Sequence, residues 1–312
     1  MIDYDNLRAL RDGFGSGIVK AALKDSRVVA LTADLSESLK LEEFKKKFPG
    51  RFFEVGVAEQ NLAGVGAGLA LEGKIPFITS FASFSPSINW NQLRVSICYN
   101  KANVKIASSH AGVTTGEDGA THQALEDIAL TRVLPGMNVI VPADALEAER
   151  ATIEIAKTKS PTYLRLGREK FPQITSENIF KIGKANILKK GKDLTLIACG
   201  NMVFQALKAA EELEKKGSHI EIINNHSIKP FDKKTILDSA VKTGVVLTVE
   251  EHQVSGGLGS VVSEVLSGER IPVHRIGVKD RFGTSGSASE LLDFYGLSSM
   301  KIIKKIERVL HL

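Results

Sequence analysis

Short apolar runs of about strand length recur along this chain, separated by stretches with helical period. VVALT (28–32), VKIASSH (104–110), NVIVPAD (138–144), PTYLRLG (161–167) and, further on, DLTLIACG and GVVLTVEEH carry little polar alternation. A strand that is apolar on both faces must be covered on both sides. That requirement points to parallel strands sandwiched by helices rather than to an antiparallel sheet with a wet face. The helical stretches between them supply the crossovers of βαβ units. The predicted fold class is therefore α/β, with parallel sheets. At 312 residues the chain is long enough for two such units.

The segment RFFEVGVAEQNLAGVGAGLALEGKIPFITSFASFSPS (51–87) reads as strand, helix, strand. Glu59 falls at the hand-over from the first strand to the helix, at the carboxyl edge where open α/β sheets bind ligands. Residues 1–24 read as an opening helix centred on Arg11 and loosened by DGFGSG. From Arg168 to Lys192 the periodicity fails. This stretch reads as a linker holding a short strand or two. A second α/β cycle follows, with a helix capped by Gly217. The expected division is 1–172, a linker over 173–190, and 191–312.

Several function classes fall away at this stage. There is no G-x-G-x-x-G opening a helix, no Walker loop and no metal-ligand spacing of His or Cys. No apolar run reaches membrane-spanning length. The N-terminus lacks the basic start and apolar core of a secretory leader. Cys98 and Cys199 sit far apart in apolar segments, as expected of free buried thiols in a reducing, cytoplasmic setting. The mild net charge of +5 favours small anionic substrates over nucleic acid. GGLG (256–259) reads either as a plain turn or as an anion cradle at a helix start. His110 and His122 bracket a Gly- and Thr-rich loop. They suit either structural hydrogen bonding or the handling of substrate hydroxyls and a carbonyl. Arg11, Arg165 and Arg168 are candidates for a phosphate or carboxylate fork. Phe81 and Phe84 read as core or as a stacking face.

The blocks FEVGVAEQNLAGVGAGLALEGKIPF, SSHAGVTTGEDGATHQALEDIALTRVLPGMNVIVPAD and PTYLRLGRE resemble the transketolase family, as does GVKDRFGTSG with ELLDFYGL. The resemblance spans nearly the whole chain. It corresponds to the pyrimidine-binding domain followed by the transketolase C-terminal domain. The family's pyrophosphate-binding half, with its GDG motif, has no counterpart here. The chain thus resembles the second subunit of a split transketolase. Such a subunit works with a separate N-terminal-half chain, in an α2β2 assembly that uses thiamine diphosphate and a Mg²⁺ or Ca²⁺ ion held by the partner chain. No metal ligand, nucleic acid or membrane is implied for this chain.

The resemblance also implies roles. Glu59 matches the glutamate that bonds N1′ of the cofactor's aminopyrimidine and promotes removal of the proton from its reactive carbon. Leu35 matches the apolar prop of the cofactor. Phe84, joined by Phe81, matches the ring packed on the pyrimidine, although Ser87 stands where full-length relatives have a second aromatic. His110 and His122 match the histidines at the donor sugar and its developing oxyanion. Asp118 matches the acid that reads a substrate hydroxyl. Arg11, Ser38 and Arg168 match the phosphate-holding group. Ala111 replaces an Asp often found after the first histidine. The implied reaction transfers a two-carbon ketol unit from a ketose phosphate to an aldose phosphate. The alternatives are a branched-sugar-phosphate transketolase, a deoxyxylulose-phosphate synthase, a 2-oxo acid dehydrogenase β chain and a non-catalytic assembly subunit.

Overall fold

The computed structural model describes residues 2–176 and 180–311. The three intervening positions, part of the expected linker, lie outside the described residues. The chain begins with β1 (Asp3–Ala9) and α1 (Leu10–Lys24). Then come β2 (Val28–Thr32), α2 (Glu42–Lys47), β3 (Phe52–Glu54), α3 (Glu59–Leu71) and β4 (Ile75–Phe81). After α4 (Trp90–Gln92), which continues as π-helical turns Leu93–Tyr99, lie β5 (Lys105–Ser109), α5 (Asp127–Arg132) and β6 (Asn138–Ile140). The first half closes with α6 (Ala145–Ala156), β7 (Thr162–Arg165) and β8 (Lys170–Gln173). The second half runs β9 (Asn186–Lys189), β10 (Leu194–Ala198), α7 (Met202–Glu214), β11 (Ile220–Asn224), β12 (Ser227–Lys229) and α8 (Lys233–Thr243). It ends with β13 (Val246–Gln253), α9 (Leu258–Val265), β14 (Val273–Val278), α10 (Ala288–Phe294) and α11 (Ser299–Leu310).

A seven-stranded sheet, ordered β12-β6-β7-β5-β4-β2-β3, organises the first half. Every pairing in it is parallel except that of β12 with β6. A five-stranded sheet, β14-β13-β10-β11-β9, organises the second, with β9 alone antiparallel. Two parallel-rich sheets covered by helices make this an α/β fold, as the apolar runs predict. β2, β5, β7 and β10 are buried at every position.

The opening helix is shorter than predicted. Asp3–Ala9 forms a strand that pairs antiparallel with β8 as a two-stranded ribbon. Arg11 therefore sits in the first turn of α1 rather than at its middle. Nor do the glycines of DGFGSG loosen that helix. A Cβ on Gly13 would lie 1.9 Å from the Ala145 carbonyl oxygen, and one on Gly17 2.7 Å from Thr152, both on α6. These glycines let α1 and α6 cross nearly backbone to backbone. The crossing covers one face of the sheet, where Phe14, Ile18, Phe77 and Leu164 are fully buried. Each such side chain contributes about 1.5–3 kcal/mol.

The predicted linker does contain strands β8 and β9. The boundary between the halves is nevertheless crossed twice. β12, from the second half, extends the first sheet beside β6. A single apolar cluster also joins Val139 and Tyr163 of the first half to Ile197, Ile223 and Leu258 of the second. No helix among the described residues is long and apolar enough to cross a membrane. Cys98 and Cys199 are buried and free.

Candidate active site

The candidate residues gather where parallel strands end. Leu35 follows β2, Glu59 follows β3, Phe81 closes β4, His110 follows β5 and Arg168 follows β7. The strand order brings β3, β2, β4, β5 and β7 side by side, so these positions share one carboxyl edge.

Glu59 is the first residue of α3 and is 5% exposed. Its Oε1 accepts a hydrogen bond from the Ser80 hydroxyl at 2.8 Å. The Asn89 side-chain amide donates to the Glu59 backbone carbonyl and to Ser85 Oγ, at 3.2 and 3.1 Å. That amide ties the carboxylate to the turn carrying Phe84. Glu54 fastens the neighbouring loops, accepting from the backbone N–H groups of Asp34 and Gly56 through one oxygen. Leu35 is half-buried against the Phe14–Phe77 cluster.

Four rings meet at the same sheet edge. Phe81 and His110 lie with centroids 3.8 Å apart, and Phe81 and Phe84 lie 5.9 Å apart. His122 meets both phenylalanines edge-on, at 6.1 and 5.4 Å. The stacking face expected of Phe81 and Phe84 thus incorporates both histidines. His110 adopts a left-handed backbone, φ 58°, a conformation that a non-glycine residue holds only when its surroundings fix it. Thr115 contributes by donating its hydroxyl to the His110 carbonyl at 2.7 Å. Burial, aided by Arg11, Arg168 and His122, pushes the His110 imidazole down to about 3. It is therefore neutral at physiological pH. Its Nδ1 is 2.8 Å from Ser109 Oγ. When Ser109 donates there, the remaining proton sits on Nε2, a neutral N–H donor.

The arginines separate into two kinds. Arg11 donates to the Ser38 carbonyl at 3.1 Å, and its buried Nε has no partner. Burial pulls its guanidinium below the ordinary value, with Arg168 adding to the effect. Arg168 donates to the Thr115 carbonyl and lies 3.5 and 3.7 Å from Glu117 and Asp118. Arg165 departs from the fork expected of it. It is buried and bonded through Nε to Asp127 at 2.7 Å, and Nη2 reaches the carbonyls of Ala124 and Glu251. Nε and Nη2 are thus committed to structure. A buried charge with that many partners does not serve a transient ligand.

GGLG also resolves. The backbone N–H groups of Leu258 and Gly259 donate to the Glu250 carboxylate at 2.6 and 2.8 Å. The protein's own carboxylate fills the anion position at that helix start. No cluster of three or more potential metal ligands occurs among the described residues.

The supporting residues Ser80, Asn89, Ser109 and Gln123 carried no signal in the sequence. Ser80, Asn89 and Gln123 owe their roles to contacts far along the chain, and Ser109 to the backbone turn that brings the neighbouring His110 ring onto its hydroxyl. Gln123 spans Val113 and Gly116 in the loop and Thr284 of the second half, bracing the segment between the histidines.

Comparison with known proteins identifies the family of the chain. Residues 7–173 match the transketolase pyrimidine-binding domain and residues 183–302 the transketolase C-terminal domain. A 6-deoxy-6-sulfo-D-fructose transketolase subunit from a Clostridium species is 42% identical over 303 residues, covering 96% of this chain and 94% of that protein. An apulose-4-phosphate transketolase subunit from Phocaeicola vulgatus is 38% identical over 302 residues, covering 96% and 97%. A solved structure described as a split gene transketolase, inactive beta4 tetramer, superposes with a TM-score of 0.91 at 46% identity, covering 97% of this chain and 99% of that one. The chain belongs to the transketolase family. Enzymes of this family are transferases that depend on thiamine diphosphate. A full-length mouse transketolase is about twice as long, and the match covers 48% of it.

The residues present fit the aminopyrimidine end of that cofactor. Glu59 receives one hydrogen bond, on Oε1, which leaves Oε2 to meet a ring nitrogen. The half-buried rings of Phe81 and Phe84, tilted 30° to each other, offer apolar surface at the same edge.

Proposed function

We propose that this chain is the β-type subunit of a two-chain transketolase, moving a two-carbon ketol unit from a ketose phosphate to an aldose phosphate. It supplies a pyrimidine-binding domain over 1–172 and a C-terminal domain over 191–312, joined by a linker at 173–190. A separate N-terminal-half chain supplies the pyrophosphate site and the Mg²⁺ or Ca²⁺ ion, in an α2β2 assembly. The observation that carries this reading is the convergence on one sheet edge of a buried carboxylate, four packed rings and two arginines with spare hydrogen-bonding capacity.

Bound thiamine diphosphate supplies the nucleophilic carbon and the electron sink. Glu59, oriented by Ser80, would hydrogen-bond the pyrimidine nitrogen. Phe84 and Phe81 pack on the ring, and Leu35 props it. His110, neutral at working pH, donates a hydrogen bond to the donor's carbonyl oxygen as charge develops there. It brings no charge of its own into the site. His122 acts on the adjacent hydroxyls, and Asp118 reads one more. Arg11 and Arg168, with Ser38, hold the sugar phosphate at the mouth. A second reading, transfer from a branched or sulfonated sugar, is favoured by the named activities of the two relatives above.

The test is ketol transfer from xylulose 5-phosphate to ribose 5-phosphate with thiamine diphosphate and Mg²⁺. It is run with this chain alone and with the N-terminal-half chain added. Activity only in the mixture is expected. Activity of the chain alone overturns the two-chain reading. Silence in a mixture shown to contain a stable complex overturns the choice of sugars. Apulose 4-phosphate and 6-deoxy-6-sulfofructose are then the donors to try.

A further inference from the structure

In the second half of the molecule, helix α11 and strand β14 line a groove of about 270 Å³. Six cationic side chains line it: Arg275 and Lys279 from the strand side, and Lys301, Lys304, Lys305 and Arg308 from the helix. Ile276 and the ring of Tyr295 form its apolar floor. We propose that this groove binds a small polyanion carrying two or more phosphoryl groups.

The helix explains half of the pattern. Ile302, Ile303 and Ile306 are buried in the second core, so positions 301, 304, 305 and 308 must face outward. That face need only be polar, however, and this one is uniformly basic. Lys301 and Lys305, like Lys304 and Arg308, are like charges spaced i,i+4, which repel. The helix dipole favours cations only in the last turn and so accounts for Arg308. Lys301 lies in the first turn, at the unfavourable end. Charge neutralisation within the fold is slight. Lys301 lies 3.3 Å from Asp293, whereas Lys279, Lys305 and Arg308 form no ion pair among the described residues. β14 is an edge strand of its sheet, with no further strand beside it; Arg275 also donates to the Val254 carbonyl at 3.2 Å, and Lys279 follows the strand directly. Cations brought together from two elements over an apolar floor are the arrangement by which proteins grip phosphate groups through several charge-assisted bonds.

The experiment is isothermal titration of the full chain with inorganic pyrophosphate at low and at physiological salt. Saturable binding that weakens with salt is expected. Lys305→Glu with Arg308→Glu should weaken it by about tenfold or more, and the Gln pair by less, because reversal adds repulsion to the lost contact. Both pairs are surface changes, and circular dichroism checks that each variant folds. Arg11→Ala with Arg168→Ala should leave this binding in place. Parallel titrations with adenosine diphosphate and with a hexose bisphosphate separate the two sources. Tighter binding of the nucleotide assigns a nucleotide site, and equal binding assigns a site that reads phosphates alone. Absence of saturable binding at millimolar pyrophosphate overturns the proposal. So does binding that survives the α11 changes but disappears with those at Arg11 and Arg168, because the anion then sits at the catalytic edge.

Discussion

Replacing Arg165 by Met keeps most of the aliphatic volume and removes the charge that Asp127 is built around. Asp127 is 1% exposed, and its Oδ2 takes both the Arg165 Nε and the Tyr163 hydroxyl at 2.7 Å. Its Oδ1 has no partner at all. Without Arg165 that carboxylate is left buried with one neutral donor. Breaking one side of a buried ion pair costs about 3–5 kcal/mol. The carbonyls of Ala124 and Glu251 lose a donor as well, which adds about 1–3 kcal/mol for each that water fails to reach. The expected loss is therefore at least ~3 kcal/mol, or a fall in Tm of roughly 5–8 °C for a chain of this length. Urea unfolding of the full chain measures it, with Arg168→Met as the comparison. Arg168 is partly exposed and its carboxylate contacts are 3.5 Å or longer, so that change should cost less than ~1 kcal/mol. A loss below ~1 kcal/mol for Arg165→Met would refute the structural role of Arg165 and reopen its place in a phosphate fork.

Two further expectations concern protons. His110 has a folded pKa of about 3 against an ordinary 6.5, so unfolding lets it take up a proton, and its contribution to stability declines as pH falls from 6.5 toward 3. Its ¹⁵N resonances should remain those of neutral imidazole down to about pH 4, and a midpoint near 6 would contradict the burial argument. Glu147 is buried beside Asp144, and burial pushes its carboxyl up to about 8 from 4.5. The folded state then holds a proton that the unfolded state releases. Stability should decline as pH rises from 4.5 to 8, by roughly 3–5 kcal/mol for this group alone. Chemical denaturation of Glu147→Gln from about pH 5 to 9 should show that slope flattened, and an unchanged slope would place the titration elsewhere.

The alternation of apolar runs and helices was readable because a buried parallel strand needs no partner information to be apolar. β1 was hidden for the opposite reason. DYDNLRA has no apolar face, and only its pairing with β8, at the far end of the first half, makes it a strand. α8 also escaped the sequence reading, since KKTILDSAVKT opens on lysines just after a proline and buries only Ile236, Ser239 and Ala240. Glu59 and His110 stood out as candidates because each follows an apolar run at the carboxyl edge of the sheet, and His122 because it closes the Gly- and Thr-rich loop that His110 opens; their roles came from the family resemblance. Their supports did not stand out. That Ser80 faces Glu59, or that Arg165 points into the core while Arg168 points out, depends on strand order and on which side of β7 each residue leaves the sheet. No local pattern encodes that.

Glu59 is the acid on which activation of the cofactor is proposed to depend. The most direct test is the ketol-transfer rate of the reconstituted two-chain enzyme carrying Glu59→Gln, which keeps an acceptor for Ser80 but removes the transferable proton. The expected result is a fall in kcat of about 10²-fold or more, with the complex still assembled. An unchanged kcat would contradict that role.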